Sequence, residues 1–140
     1  MPLHQIFHPV SAFSASDKQK LSERITAMYT NIGLPAFYVV VLFKPVESES
    51  FYVGGKPTDK FVRIVVQHLA KQIPTEEGKK QFIDGYESIL APFIKEKGYD
   101  WEVHVEEVPP EMWRENGLIP PIKFPEIQNE WARQNKPIPY

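Results

Sequence analysis

The sequence predicts an α+β domain built as two β-α-β units. Three observations predict it. Dense β-branched and aromatic runs stand at residues 36–43 and 61–69, and a shorter one at 101–105. Two segments between the runs carry apolar residues at helical spacing, with helix-start and helix-stop residues at their ends. The two strand–helix–strand stretches also have similar spacing, an architectural duplication with little residue identity between the halves.

The first strand is Leu3 to His8, with Leu3, Ile6 and Phe7 as its apolar residues and Pro9 as its end. Ser14 and Asp17 offer helix caps, and Leu21, Ile25, Met28 and Ile32 then give one apolar face. Gly33 stops that helix and Pro35 prevents its continuation. Ala36 to Phe43 reads as a strand buried on both faces, hence central and parallel. Residues 44–60 read as a hairpin-like excursion around Phe51-Tyr52-Val53 and Gly54-Gly55. No helix start follows the paired glycines, which argues against a phosphate loop.

Phe61 to Leu69 is the third strand. A second helix opens at Pro74-Thr75-Glu76-Glu77, with acids suited to the helix dipole, and buries Phe82, Tyr86, Ile89, Leu90, Phe93 and Ile94. Pro92 is expected to kink it and Gly98 to close it. Trp101 to Val105 is the fourth strand. Pro109 to Glu115 looks like a proline-started helical turn ending at Gly117. Half of the 14 prolines lie between Pro109 and Pro139, so a proline-rich extension over about 118–140 is built differently from the rest. Within it, residues 118–125 read as extended and Glu126 to Asn135 as a short helix with Ile127 and Trp131 on one side. The tail from Lys136 is expected to lie against a surface.

The 140 residues fit one compact domain, with subunit contacts a welcome addition to its core. A net charge of −2 gives no electrostatic case for nucleic acid or an anionic membrane. No apolar run approaches a membrane span, and no signal peptide is evident, so a cytoplasmic location is expected. Without cysteine there is no thiol chemistry. His4, His8, His68 and His104 lack the close pairing of zinc sites, so no metal and no other cofactor is expected.

Pro2 is the candidate for chemistry. Initiator methionine is commonly trimmed before a small residue, which would leave Pro2 with a free secondary amine. Alpha-amines titrate at roughly 7.7–8, and an apolar pocket lowers that value. Such an amine can take and return protons near neutral pH. Retention of Met1 would instead make the nitrogen an amide without basicity.

Two β-α-β units behind a second-position proline resemble the tautomerase superfamily. Phe51-Tyr-Val-Gly-Gly55, the Phe61–His68 strand, Val103-His-Val-Glu-Glu-Val-Pro109 and Met112-Trp-Arg-Glu-Asn-Gly117 resemble its cis-3-chloroacrylic acid dehalogenase branch, over roughly residues 2–121. From Ile122 onward the chain is similar to fungal members of that branch. The resemblance implies a four-stranded mixed sheet with two helices on one face and a homotrimer. It implies a catalytic proline at the base of a small apolar pocket. Residue by residue, the amino-terminal proline falls on Pro2 and the water-activating or proton-moving carboxylate on Glu115. The helix-1 histidine falls on Tyr29, the first substrate-binding arginine on Lys71, and the tyrosine that partners the carboxylate on His104. The second arginine falls near Pro74, and Arg114 is a candidate to compensate for it.

The expected function is proton transfer by Pro2 on a small 2-oxo or unsaturated carboxylate, that is, keto–enol tautomerisation. Glu115 and His104 would join Pro2 as catalytic groups, and Tyr29, Lys71 and Arg114 would bind substrate. Hydration or dehalogenation of three-carbon acrylates is the alternative enzyme reading. A lone Lys71 lacks the bidentate fork of arginine, which weighs against efficient dehalogenation. A non-catalytic trimeric binding scaffold is the reading outside enzymology.

Overall fold

The computed structural model describes residues 1–69 and 71–140. Strand β1 (Leu3–Pro9) is followed by helix α1 (Ala15–Thr30) and strand β2 (Val40–Val46). A small ribbon, β3 (Tyr52–Val53) and β4 (Lys56–Pro57), leads to β5 (Phe61–His68). Helix α2 (Glu76–Leu90), strand β6 (Asp100–Glu107) and helix α3 (Pro125–Gln134) complete the chain. The main sheet runs β2-β1-β5-β6. β1 pairs in parallel with β2, and β5 in parallel with β6, while β1 and β5 pair antiparallel. The expected α+β class and four-stranded mixed sheet are therefore observed.

Burial alternates along β1 as far as His8 and throughout β5. His4, Ile6, His8, Val62, Ile64, Val66 and His68 face the helices and are almost completely buried. From α1 come Leu21, Ile25 and Tyr29, and from α2 Tyr86 and Leu90, which close the core over that face. Ser14 and Asp17 form the reciprocal capping box that starts α1, and Thr75 caps α2.

Three expectations need correction. β2 is not central but an edge strand of the chain, because the β1–β5 pairing joins the two units and leaves β2 outermost. Its Leu42 is 42% exposed. The first part of the same apolar run, Ala36–Tyr38, is a 3-10 turn behind Pro35, not strand. Pro92 does not kink α2, which has already ended at Leu90. Proline has no N–H to continue the ladder and its ring crowds the carbonyl four residues back, so the helix stops although Ala91 before it still holds helical angles. The short helix expected in the extension is present as α3, beside the two helices of the β-α-β units. α3 starts on Pro125, and its Trp131 is fully buried, so the extension contributes to the core. In the β3–β4 ribbon, Gly54 and Gly55 both have positive φ, the backbone a tight two-residue hairpin turn demands.

Candidate active site

The site begins with the chain's first residues, which the sheet itself holds. Pro2 is buried, and its carbonyl accepts a hydrogen bond from the Val40 N–H at 3.0 Å. In β1, Leu3 stands opposite Gln67 and His4 opposite Val66. Carried one residue further, the register sets Pro2 against His68. Strand alternation gives Pro2 and His4 the same side of the sheet, the helix side. The amino group here is that of Met1, one residue before the proline nitrogen. Burial lowers it to about 4, while the Glu115 carboxylate pulls it upward. A desolvated chain end thus lies within electrostatic reach of one acid.

That acid is set by a local device. Asn116 and Gly117 both have positive φ, and Glu115 and Leu118 exchange backbone hydrogen bonds of 2.9 and 2.8 Å around them. Asn-Gly is the preferred pair for such a turn. Glu115 Oε1 accepts from Trp113 Nε1 at 3.0 Å. Trp113 is itself buried and packs edge-on against Tyr38, with centroids 4.8 Å apart. The Tyr38 hydroxyl is sealed from solvent with no hydrogen-bond partner among the described residues. Desolvation, then Glu115, then Tyr140 push its pKa well above the ordinary tyrosine value.

On the other side of the amino terminus stand His68 and Tyr29, ring centroids 5.7 Å apart. Both are buried, and among the described residues both Tyr29 Oη and His68 Nδ1 lack a partner. Desolvation lowers His68, with Glu107 opposing and the amino terminus adding to the fall, and it raises Tyr29 well above the ordinary tyrosine value. Beneath them, His4 Nδ1 meets Tyr86 Oη at 2.8 Å, and burial brings His4 down to about 3. These histidines are neutral imidazoles. Tyr29 and His68 line a cavity of about 460 Å³ with Lys71, Ile73, Thr75 and Phe82. Lys71 is exposed at its rim, where an ammonium can meet an anionic substrate.

Two expected site residues lie elsewhere within the chain. His104 shares a face with Val65, across the sheet from the helices. There Arg63 Nη2 and His104 Nδ1 are 2.9 Å apart, and Glu106 Oε1 lies 3.0 Å from the other ring nitrogen. An odd step along β6 separates His104 from Trp101, Val103 and Val105, and this parity puts it on the open face. Arg114 donates to the Trp113 and Glu111 carbonyls at 2.7 and 3.3 Å. It lines a separate groove of about 280 Å³ with Lys123, Phe124 and Tyr140. Conversely, Tyr38 and His68 join the site without having been singled out. Among the described residues, no cluster of three or more histidines and carboxylates could hold a metal ion.

The comparisons with known proteins bear on this geometry. The family model described as "Putative oxalocrotonate tautomerase enzyme" matches residues 1–136. This chain belongs to the tautomerase superfamily. Among solved structures, this tautomerase-superfamily chain is similar to RhCC from Rhodococcus jostii, at 48% identity and a TM-score of 0.95, over 99% of both chains. It is similar to a probable enzyme from the thermophilic fungus Aspergillus fumigatus, at 34% identity and TM-score 0.94, over 100% of this chain and 98% of that one. A member of the cis-3-chloroacrylic acid dehalogenase family shares the fold at 17% identity and TM-score 0.72, over 95% of this chain and 97% of that one. A fused 4-OT trimer shares it at 20% identity and TM-score 0.67, over 84% and 94%. Among curated proteins, no sequence matches the chain.

Proposed function

We propose that this tautomerase-superfamily chain is a cofactor-independent enzyme that uses Pro2 as its general base and acid on a small 2-oxo carboxylate. The observation that carries the reading is the seat of the amino terminus, desolvated, facing Glu115 and opposite His68. Loss of Met1 makes Pro2 the chain end, and burial keeps a secondary amine there neutral near pH 7. The neutral amine takes a proton from the carbon next to the substrate carbonyl. The bonding pair moves into a carbon–carbon double bond, and the carbonyl oxygen becomes an enolate. Tyr29, protonated and without a partner, donates to that oxygen, and Lys71 meets the carboxylate at the rim. The prolinium returns its proton to oxygen, giving the enol, and the reverse sequence gives the ketone. Glu115 favours the prolinium while it exists. His104 takes no part within one chain, and Arg114 contributes only if it leaves its two carbonyls.

The aim of Glu115 supports a second reading. Held by Trp113 and half-buried, it can accept a proton from water as that water attacks an activated three-carbon acid. In this reading Pro2 starts protonated, the charged form that Glu115 favours, and it delivers that proton to the neighbouring carbon while water adds, which is hydration. Purified, Met1-trimmed protein assayed with phenylenolpyruvate and with acetylenic and halogenated acrylates decides between the two. Pro2→Ala is expected to lower the observed activity at least a hundredfold, the usual scale of a lost acid–base group. Unchanged turnover in that variant rejects the mechanism.

A further inference from the structure

The Tyr38 hydroxyl is fully buried, has no partner among the described residues, and lies within electrostatic reach of Glu115, the acid that also acts on the amino terminus. A buried hydroxyl without a bond is uncommon because its desolvation goes uncompensated. Its surroundings explain the ring but not the oxygen. Trp113 packs edge-on against Tyr38 and gives its own N–H to Glu115. Two residues along, the Val40 N–H fixes the Pro2 carbonyl, so one short segment carries both Tyr38 and the anchor of the amino terminus.

The placement of Tyr38 is constructed by the proline-rich extension. Pro35 starts the 3-10 turn, and Tyr38 N–H closes it onto the Pro35 carbonyl at 3.1 Å. The neighbouring Phe37 N–H donates to Asn135 Oδ1 at 2.9 Å, 98 residues away. Asn135 adopts a left-handed conformation just past α3, which presents that amide. Trp131 packs against both Phe37 and Tyr38, with centroids 6.1 and 6.4 Å away, and its own N–H is used by the Ile138 carbonyl.

Resting on the proposed reaction, we infer that Tyr38 is a hydrogen-bond donor of this site, positioned by α3 and reached by substrate once Met1, which packs against the same core, has been removed. With His104 on the far face of the sheet, Tyr38 is the tyrosine that the chain itself sets beside Glu115. A phenol kept protonated by burial can donate to an enolate or to a carbonyl becoming one, and it cannot compete with Pro2 as a base. The donated bond strengthens as charge develops, so its loss falls on kcat more than on KM.

The experiment compares wild type, Pro2→Ala, Tyr38→Phe and Tyr140→Phe with phenylenolpyruvate, after circular dichroism shows equal melting. Tyr38→Phe keeps the ring and removes only the oxygen. The expected result is a loss of tenfold or more in kcat with KM within twofold, and Tyr140→Phe within twofold of wild type in both. A kcat for Tyr38→Phe within threefold of a Pro2-dependent wild type overturns this inference and leaves the parent reading intact. An equal loss in Tyr140→Phe also overturns it, since the effect would then belong to packing of the tail. A wild type whose turnover survives Pro2→Ala, or that shows none, overturns the parent reading and this one with it.

Discussion

Glu115 has a single indole N–H to aim it, and that dependence is open to test. Trp113→Phe retains most of the packing against Tyr38 and deletes the donor to Oε1. Hydrogen bonds to charged groups are worth roughly 1.5–3 kcal/mol, so kcat is expected to fall about tenfold or more. Steady-state kinetics at saturating substrate read this directly. The buried histidines give a second residue-scale prediction, in stability. His4 is neutral in the fold down to about 3, whereas an unfolded histidine takes a proton below about 6.5. The unfolded state therefore binds more protons between those values, and stability is full above that window and falls as pH drops through it. Each such histidine contributes up to roughly 1.4 kcal/mol per pH unit. Urea unfolding between pH 7.5 and 5 is expected to show a shallower acid slope for His4→Phe than for wild type. Equal slopes would mean that His4 takes up its proton in the folded protein as well. Pro2 stood out by its position, whereas Glu115, Tyr29 and Lys71 were reached through the family resemblance; all four lie around the amino terminus or its neighbouring cavity, and their roles rest with the proposal. Tyr38 was hidden because it sits in an eight-residue apolar run that reads as strand. His68 was hidden because the partner of a strand end depends on register, which no local pattern states.

The elements were legible where periodicity is strong. Burial alternates along Phe61–His68 without a break, and the serine–aspartate cap of α1 works as its spacing suggests. Failures came where tertiary pairing decides. An apolar run cannot say whether its strand is central or at an edge, and β2 owes its place to the β1–β5 pairing. Asn116-Gly117 was a readable hairpin signal, and it sets Glu115 where a helical stop was expected. The weight of α3 was also underestimated from its short, polar sequence. Its Trp131 has no exposed surface and touches Phe37, Tyr38 and Tyr140. Trp131→Ala is expected to cost about 3–5 kcal/mol in chemical denaturation, as large-to-small changes in cores do. A cost under 1 kcal/mol would show that α3 is dispensable to the fold.

For the whole molecule, the unfinished surface is the helix-free face of the sheet. Leu3, Phe7, Val40, Leu42 and Val65 stand there beside Lys44, Arg63 and His104, by the register of the four strands. A sheet face of this composition invites a partner. A homotrimer of the 16.2 kDa chain, the assembly that the family resemblance implies, would cover this face. Sedimentation equilibrium is expected to return three times the chain mass. Leu42→Lys, which puts a charge among those apolar groups, is expected to lower the association state. A monomeric wild type would reject the trimer and leave the intrachain site unchanged.

Because the Pro2 carbonyl is already spliced into the ladder through Val40, nothing can be attached ahead of it without consequence. A leading affinity tag, or even a few vector-derived residues, would keep the ring nitrogen acylated. If Pro2 acts as proposed, recombinant material made that way is expected to be inactive, and its silence would say nothing about biology.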